Sequence, residues 1–355
     1  GRFTTESAGA RAGTQGTLLS IPLGRTAPAG SPILADLAFT LRLPPPQFER
    51  WGSTGTTAWW GTGEPLLGWE DGRGWQRQPA VRFPSEAAVS EAASIDLTVT
   101  APASDTVLMT GLPEKPLALP GGRRQWRSSS QSARDVSVAA GQFETRTSTA
   151  GGIDVRVGVS SETTADVDDL LAQAERSIKG LIERFGPFPY PSLSIAALPG
   201  ISSGGIEFPS AIMVGASGWD VVVPHEAAHE YFYGMVGDNQ ARDPWLDEAF
   251  ATYSEALVNG SGQKYLPGLA LPGRVGSSVA SWGNNQDGYY ATIYYKGAAA
   301  LLTARDRVGA ARFDAALRCY VNDNAWTVAT PDDLQRSLAQ LPAAIDVLRK
   351  AGALP

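Results

Sequence analysis

His225-Glu226-Ala227-Ala228-His229 contains both histidines of a 355-residue chain. On a helix, positions i and i+4 lie one above the other, so the two imidazoles can reach one metal ion. Glu226 flanks that face and can hold a water molecule there; zinc lowers the pKa of its bound water to about 7, so a carboxylate can take the proton. Val221, Val222 and Val223 before the motif, and Tyr231 and Phe232 after it, predict a buried helix over roughly 220–237. A catalytic zinc takes three protein ligands and keeps a fourth position open. The chain has no other histidine and no cysteine nearby, so a carboxylate must be the third ligand. Glu248 follows His229 after eighteen intervening residues, in a stretch that reads as a second helix over 246–259. His225, His229 and Glu248 are therefore the expected ligands of one zinc per chain. Thr252 lies one turn beyond Glu248 on the same face, where it could hydrogen-bond a ligand.

Around this core the second half of the chain has helical periodicity. Val167, Leu170, Leu171, Ala174, Ile178, Leu181 and Ile182 recur at helical spacing, Asp166 precedes them, and Gly186 closes the segment. Short strands are expected at 192–198 and 211–214, with a glycine turn at Gly204-Gly205 between them. Further helices are expected over 292–308, 310–320 and 331–350.

The first half has a different texture, dense in Gly, Pro, Ser and Thr. Period-two alternation at 94–100, 105–110, 135–139 and 153–157, broken by Gly121-Gly122 and Gly151-Gly152, predicts strands. The expected fold is thus multidomain β + α: an all-β, saddle- or sandwich-like domain over 1–160, then a mainly α catalytic domain over 161–355. Trp51, Trp59, Trp60, Trp69 and Trp75 are expected to pack in the core or between domains. Arg123-Arg124-Gln125-Trp126-Arg127 is expected to be a solvated strand edge.

Composition sets outer limits. A 43% hydrophobic content excludes global disorder, and the net charge of −7 argues against nucleic acid as a partner. No apolar run approaches the roughly 18 residues of a membrane span. A single cysteine, Cys319, excludes a disulfide framework or thiolate metal cluster within one chain. The chain starts at Gly1 and has five lysines against 24 arginines, which suggests an exported bacterial protein (secreted, periplasmic or cell-surface) whose targeting segment has been removed. A cytoplasmic protein is the alternative.

At these residues the chain resembles the gluzincin aminopeptidases, the family of aminopeptidase N and leukotriene hydrolase. Gly204-Gly205-Ile206-Glu207-Phe208 resembles the family's Gly-x-Met-Glu-Asn loop, and Tyr294-Tyr295-Lys296-Gly297 its Tyr-x-Lys-Gly segment. The stretch 133–141 resembles the approach to the end of the family's N-terminal β domain. The resemblance implies a thermolysin-like catalytic domain and a zinc peptidase acting on the N-termini of peptides. It implies that Glu207 binds the substrate's α-amine, with Gly204 and Gly205 shaping that loop, and that Tyr294 donates to the oxyanion. Ile206 and Phe208 depart from the family's Met and Asn. The chain also ends about 60 residues after Tyr294, as a short two-domain bacterial member without the large C-terminal helical domain would. A more open cleft would follow, so a zinc endopeptidase on the same site is the first alternative. A catalytically silent peptide-binding module is the second.

Overall fold

The computed structural model describes residues 4–6, 18–21, 24–45, 50–76, 89–201 and 204–355. The N-terminal part is built from strands. A small pair joins β1 (Thr4–Glu6) and β2 (Leu18–Ser20). Next in the chain come β3 (Trp51–Ser53), β4 (Thr57–Gly61), and the hairpin of β5 (Trp69–Glu70) and β6 (Gly74–Trp75). They are followed by β7 (Ala93–Pro102), β8 (Thr106–Met109), β9 (Leu112–Pro113) and β10 (Leu117–Leu119). The long β11 (Arg123–Ala133) and then β12 (Ser137–Gly141) complete two four-stranded sheets. Their orders are β10-β11-β7, with β9 also on β11, and β3-β4-β12-β8.

A third sheet has the order β13-β14-β15-β17-β16. It comprises β13 (Phe143–Ala150), β14 (Ile153–Ser160), β15 (Ser192–Ala197), β16 (Gly205–Phe208) and β17 (Ala211–Val214). Because β14 pairs in parallel with β15, sheet pairing runs across the expected division at 160. The alternating pattern at 153–157 is real; it belongs to the sheet that carries the helices.

Helix α1 (Val167–Phe185) forms where the periodicity requires it. The Asp166 carboxylate accepts from the amides of Asp168 and Asp169, and Gly186 leaves the helix at φ 101°. Its buried face of Val167, Leu170, Ala174, Ile178 and Leu181 joins the largest core cluster, together with Val155, Val157, Leu193 and Ile195 of the sheet. Each such buried valine, leucine or isoleucine contributes about 1.5–3 kcal/mol. The opposite face of this sheet is covered by the N-terminal part. Ala196, Ile206, Phe208, Ala211 and Met213 pack with Trp59, Leu108 and Ala139 of β4, β8 and β12.

The remaining helices complete the helical layer: α2 (Trp219–Ala228), α3 (Trp245–Val258), α4 (Gln286–Tyr290), α5 (Gly297–Val308), α6 (Ala310–Asp323), α7 (Pro331–Ser337) and α8 (Pro342–Lys350). The helix expected over 220–237 ends at Ala228, because the chain turns sharply afterwards and Tyr233 sits at φ 121°. The helix expected over 331–350 is two helices, since Pro342 cannot continue the first. The segment expected as 292–308 begins with a π-helical turn over Ala291–Lys296.

Two surface expectations change. Among the five tryptophans Trp59 is fully buried, but Trp51, Trp69 and Trp75 are 39–52% exposed. The basic run at 123–127 lies in β11, an inner strand between β10 and β7. There Trp126 is buried, with the guanidinium of Arg156 5.3 Å from its ring centre. Among the described residues no helix is long and apolar enough to cross a membrane.

Candidate functional site

Helix α2 brings the two histidines together at its C-terminal end. Pro224 lies inside it and lacks the N–H that would reach the carbonyl of Asp220; that carbonyl instead accepts from Asn259 Nδ2 at 2.6 Å, tying α2 to the end of α3. The helix thus tolerates a proline one residue before His225. The imidazole centroids of His225 and His229 are 4.9 Å apart. Glu248, in the first turn of α3, meets both rings: its Oε2 is 3.2 Å from His225 Nε2 and 3.5 Å from His229 Nε2.

These distances test the donor set. Zinc bonds of about 2.0 Å in tetrahedral geometry put neighbouring ligand atoms about 3.3 Å apart, which matches the observed spacing. The ligand atoms of His225, His229 and Glu248 lie within 4.8 Å of one another. His229 Nδ1 donates to Asp247 Oδ1, which fixes the tautomer and leaves Nε2 free to ligate. Glu207, Glu226, Asp247 and Glu248 are all buried against only two imidazoles, a surplus of negative charge that a dication would balance. The residues present therefore fit zinc.

The electrostatics follow from burial. Desolvation pushes the Glu226 carboxyl well above the usual range, and the nearby carboxylates Glu207 and Glu248 add to the rise. Burial likewise raises Asp247, to about 7, against the pull of His229. Burial alone would lower the His229 imidazole, but Asp247 and Glu207 outweigh it and raise it well above its ordinary value. Burial also opposes ionisation of Glu248, yet the hydrogen bonds and charges of the two histidines hold it well below the usual carboxylate range.

Glu207 reaches the site through the alternation of β16. Ile206 and Phe208 point into the cluster beneath the sheet, so Glu207 points to the other face, toward α2. Its carboxylate, that of Glu226 and the His229 ring form a second group whose ligating atoms lie within 4.8 Å. Gly204 sits at φ 118° as the chain enters the strand, and a Cβ on Gly205 would come 2.4 Å from Glu226 Cγ. Both expected glycines therefore have a structural reason: the first turns the chain, and the second lets β16 close on the Glu226 carboxylate.

Tyr294 lies in the π-helical turn, an element often found at functional sites. Its ring is parallel to that of His225, with centroids 5.9 Å apart, and its hydroxyl donates to Glu248 Oε1. The residues after it anchor the turn. Lys296 Nζ donates to the carbonyl of Gly273 at 2.7 Å, and a Cβ on Gly297 would meet that of Ala249 at 2.4 Å, so glycine allows α5 to touch α3.

Thr252 does not take the expected supporting role. Its Oγ1 is buried in α3 with no hydrogen-bond partner among the described residues. Asp247 supports His229 instead, and Gln240 supports Asp247 through a bond of 2.8 Å. Sequence reasoning passed over both. Asp247 stood next to Glu248 and could have been tested as a histidine partner; Gln240 had no local signal.

No protein-family model matches the chain. In sequence it is similar to aminopeptidase M1-A of Oryza sativa subsp. japonica, 26% identical over 241 residues, covering 58% of this chain and 27% of the relative. It is similar also to aminopeptidase M1 of Arabidopsis thaliana, 25% identical over 236 residues, covering 57% and 27% respectively. The chain thus spans about a quarter of the length of these relatives. In structure it resembles the M1 zinc metallopeptidase of Deinococcus radiodurans, with a TM-score of 0.67 at 23% identity over 88% of this chain and 74% of that one. A mutant of that enzyme bound to a Tyr-Ser-Ala substrate aligns with a TM-score of 0.68 over the same shares, at 23% identity. The fold is that of the two-domain M1 zinc metallopeptidases.

Proposed function

We propose that this chain is a zinc-dependent aminopeptidase that hydrolyses N-terminal residues from peptides. One observation carries the reading: a buried carboxylate, Glu207, stands beside Glu226 and a three-ligand metal set. A peptide's α-ammonium needs an anionic anchor, and Glu207 supplies one beside the metal set, where the first peptide bond would lie. The names of the sequence relatives, and the peptide held by the Deinococcus enzyme, support the same reading.

His225, His229 and Glu248 would hold the zinc. When bound, zinc polarises a carbonyl and acidifies water, the chemistry that peptide hydrolysis needs. Glu226 holds the attacking water, accepts its proton and passes it to the leaving amine. Tyr294 turns its hydroxyl from Glu248 to the carbonyl oxygen as negative charge develops there. Glu207 fixes the register by binding the free amine, so cleavage falls after the first residue.

The test is hydrolysis of a panel of aminoacyl-arylamides with and without a zinc chelator, beside Glu226→Gln. The expected result is chelator-sensitive turnover that vanishes in the variant while zinc stays bound at one per chain. Peptides cleaved equally well with free and acetylated N-termini would overturn amine anchoring and favour an endopeptidase. No turnover by a zinc-loaded protein would favour the binding module. Composition further supports export from a bacterial cell; recovery of the native protein in the cytosolic fraction alone would refute that part.

A further inference from the structure

The irregular stretch between α2 and α3 carries Gln240, a residue 2% exposed. Its Nε2 donates to Glu207 Oε1 at 3.1 Å and to Asp247 Oδ2 at 2.8 Å. An amide nitrogen has two protons and no acceptor capacity, so both carboxylates must receive. Glu207 is the proposed amine anchor. Asp247, through its other oxygen, receives the Nδ1 proton of His229. One amide group therefore sits between substrate recognition and the orientation of a metal-binding ring.

The backbone around Gln240 is pinned by the bonds of its neighbours. Its neighbours bond to Glu70 in the β5–β6 hairpin: Asn239 Nδ2 donates to Glu70 Oε2 at 3.2 Å, and Arg242 reaches both Glu70 oxygens at 3.0 and 2.9 Å. Val279 N donates to the carbonyl of Ala241 at 3.0 Å, and the Asn239 carbonyl accepts from Arg242 and Asp243. Held on both sides, the side chain has little freedom to leave its two acceptors. Its amide protons also lie between two buried carboxylates that would otherwise face each other with no donor between them.

We infer that Gln240 is a positioning residue that sets Glu207 for the substrate's ammonium and Asp247 for His229 at the same time. Its Glu207 arm rests on the aminopeptidase reading; its Asp247 arm does not. The residue touches neither the substrate nor the reacting atoms and acts through the two carboxylates.

The test uses the full chain with Gln240→Met, which keeps length and removes both donors, and Gln240→Glu, which is nearly isosteric and adds a third negative charge. Zinc affinity is measured by chelator competition, and kcat and KM are measured on aminoacyl-arylamides. Loss of an outer hydrogen-bond partner typically costs 10- to 100-fold in metal affinity, and at least about tenfold is expected here. KM for free-amine substrates should rise about tenfold or more, with a smaller fall in kcat. Gln240→Met should add nothing to zinc affinity in an Asp247→Ala background, and nothing to KM in a Glu207→Ala background. Single variants within twofold of wild type in both quantities would overturn the inference, as would effects that multiply in the double variants. Should Gln240→Met fail to fold, Gln240→Glu and the same two backgrounds decide the matter. If the wild-type protein hydrolyses no free-amine substrate, the functional reading fails, while the chelator titration still decides the Asp247 arm.

Discussion

The Nδ1 of His229 donates to a carboxylate oxygen of Asp247, the residue that precedes Glu248 in sequence. One turn of α3 therefore presents an expected ligand and the support for a second expected ligand. Asp247 is fully buried, so the bond competes with no solvent. Asp247→Ala should lower zinc affinity by about 10- to 100-fold, because the imidazole is then free to rotate and to change tautomer. Asp247→Asn keeps an acceptor but loses the charge, and should fall between the two. Competition with a calibrated chelator reads the effect directly; equal affinities in all three proteins would remove Asp247 from the site.

Tyr294 presents a second relationship with a clear kinetic signature. Its hydroxyl donates to Glu248 while its ring lies parallel to His225, so the group is close to the metal set but is not one of the expected ligands. A donor that acts on charge formed only in the transition state changes kcat and leaves KM nearly alone. Tyr294→Phe should lower kcat by about 10²- to 10³-fold, the range found for single oxyanion donors. A rise in KM with unchanged kcat would make Tyr294 a binding residue instead.

The juxtaposition of His225 and His229 was legible because helical spacing is a local property: i and i+4 share a face whatever surrounds them. Glu207 was legible through its resemblance to a known loop, and the alternation of β16 shows why it faces α2. Helix α1 was legible from Asp166 to Gly186 because both caps and the apolar face agree. The path from 229 to 244 was not, since its turns depend on distant partners such as Glu70 and the carbonyl of Thr327. Gln240 and Asp247 are joined only by that path. The sheet pairing across residue 160 was not legible for a related reason. A period-two pattern announces a strand but not which sheet it joins, and β14 pairs with a strand that begins 32 residues after it ends. The tryptophan count suggested packing, yet burial depends on which face of a short strand each residue takes.

Glu64 carries a prediction about pH. Burial raises its carboxyl from the ordinary 4.5 to about 7, with the neighbouring charge of Asp135 adding to the rise. A carboxyl raised on folding binds its proton more tightly in the folded chain. Below pH 4.5 both states are protonated and the group is neutral in its effect; as pH rises from 4.5 toward 7 the unfolded chain ionises first and stability is lost. Above pH 7 the cost is complete: the rise from 4.5 to about 7 corresponds to about 3 kcal/mol, reduced to on the order of 2 kcal/mol by solvent screening of this part-exposed group. Glu64→Gln can still accept the Val136 amide through its carbonyl and carries no charge. The variant should match wild type at pH 4 and exceed it by about 1–3 kcal/mol at pH 8 in denaturant melts. A difference that is constant with pH would refute the shift.

Arg134 joins the two parts of the molecule and gives the last prediction. Its guanidinium is buried and donates to the carbonyls of Ser90 at 2.7 Å, Tyr233 at 2.8 Å and Thr327 at 2.6 Å. The last two lie in the helical part, and Tyr233 is in the stretch that leads to Gln240. The planar fork of arginine donates in several directions at once, which the point-like ammonium of lysine cannot do. Gly237 has no side chain where the guanidinium passes; a Cβ there would come 2.1 Å from Arg134 Cζ. Burial lowers the pKa of Arg134, but from so high a starting value that the group stays charged. Arg134→Lys should therefore cost about 1–3 kcal/mol, from carbonyls left without donors. Arg134→Met, which removes all of these donors, should cost more, about 3–5 kcal/mol. Gly237→Ala should lose stability as well, because the guanidinium must move. The shift in urea midpoint orders the three proteins; midpoints equal to wild type for both arginine variants would mean that Arg134 does not help to hold the two parts together.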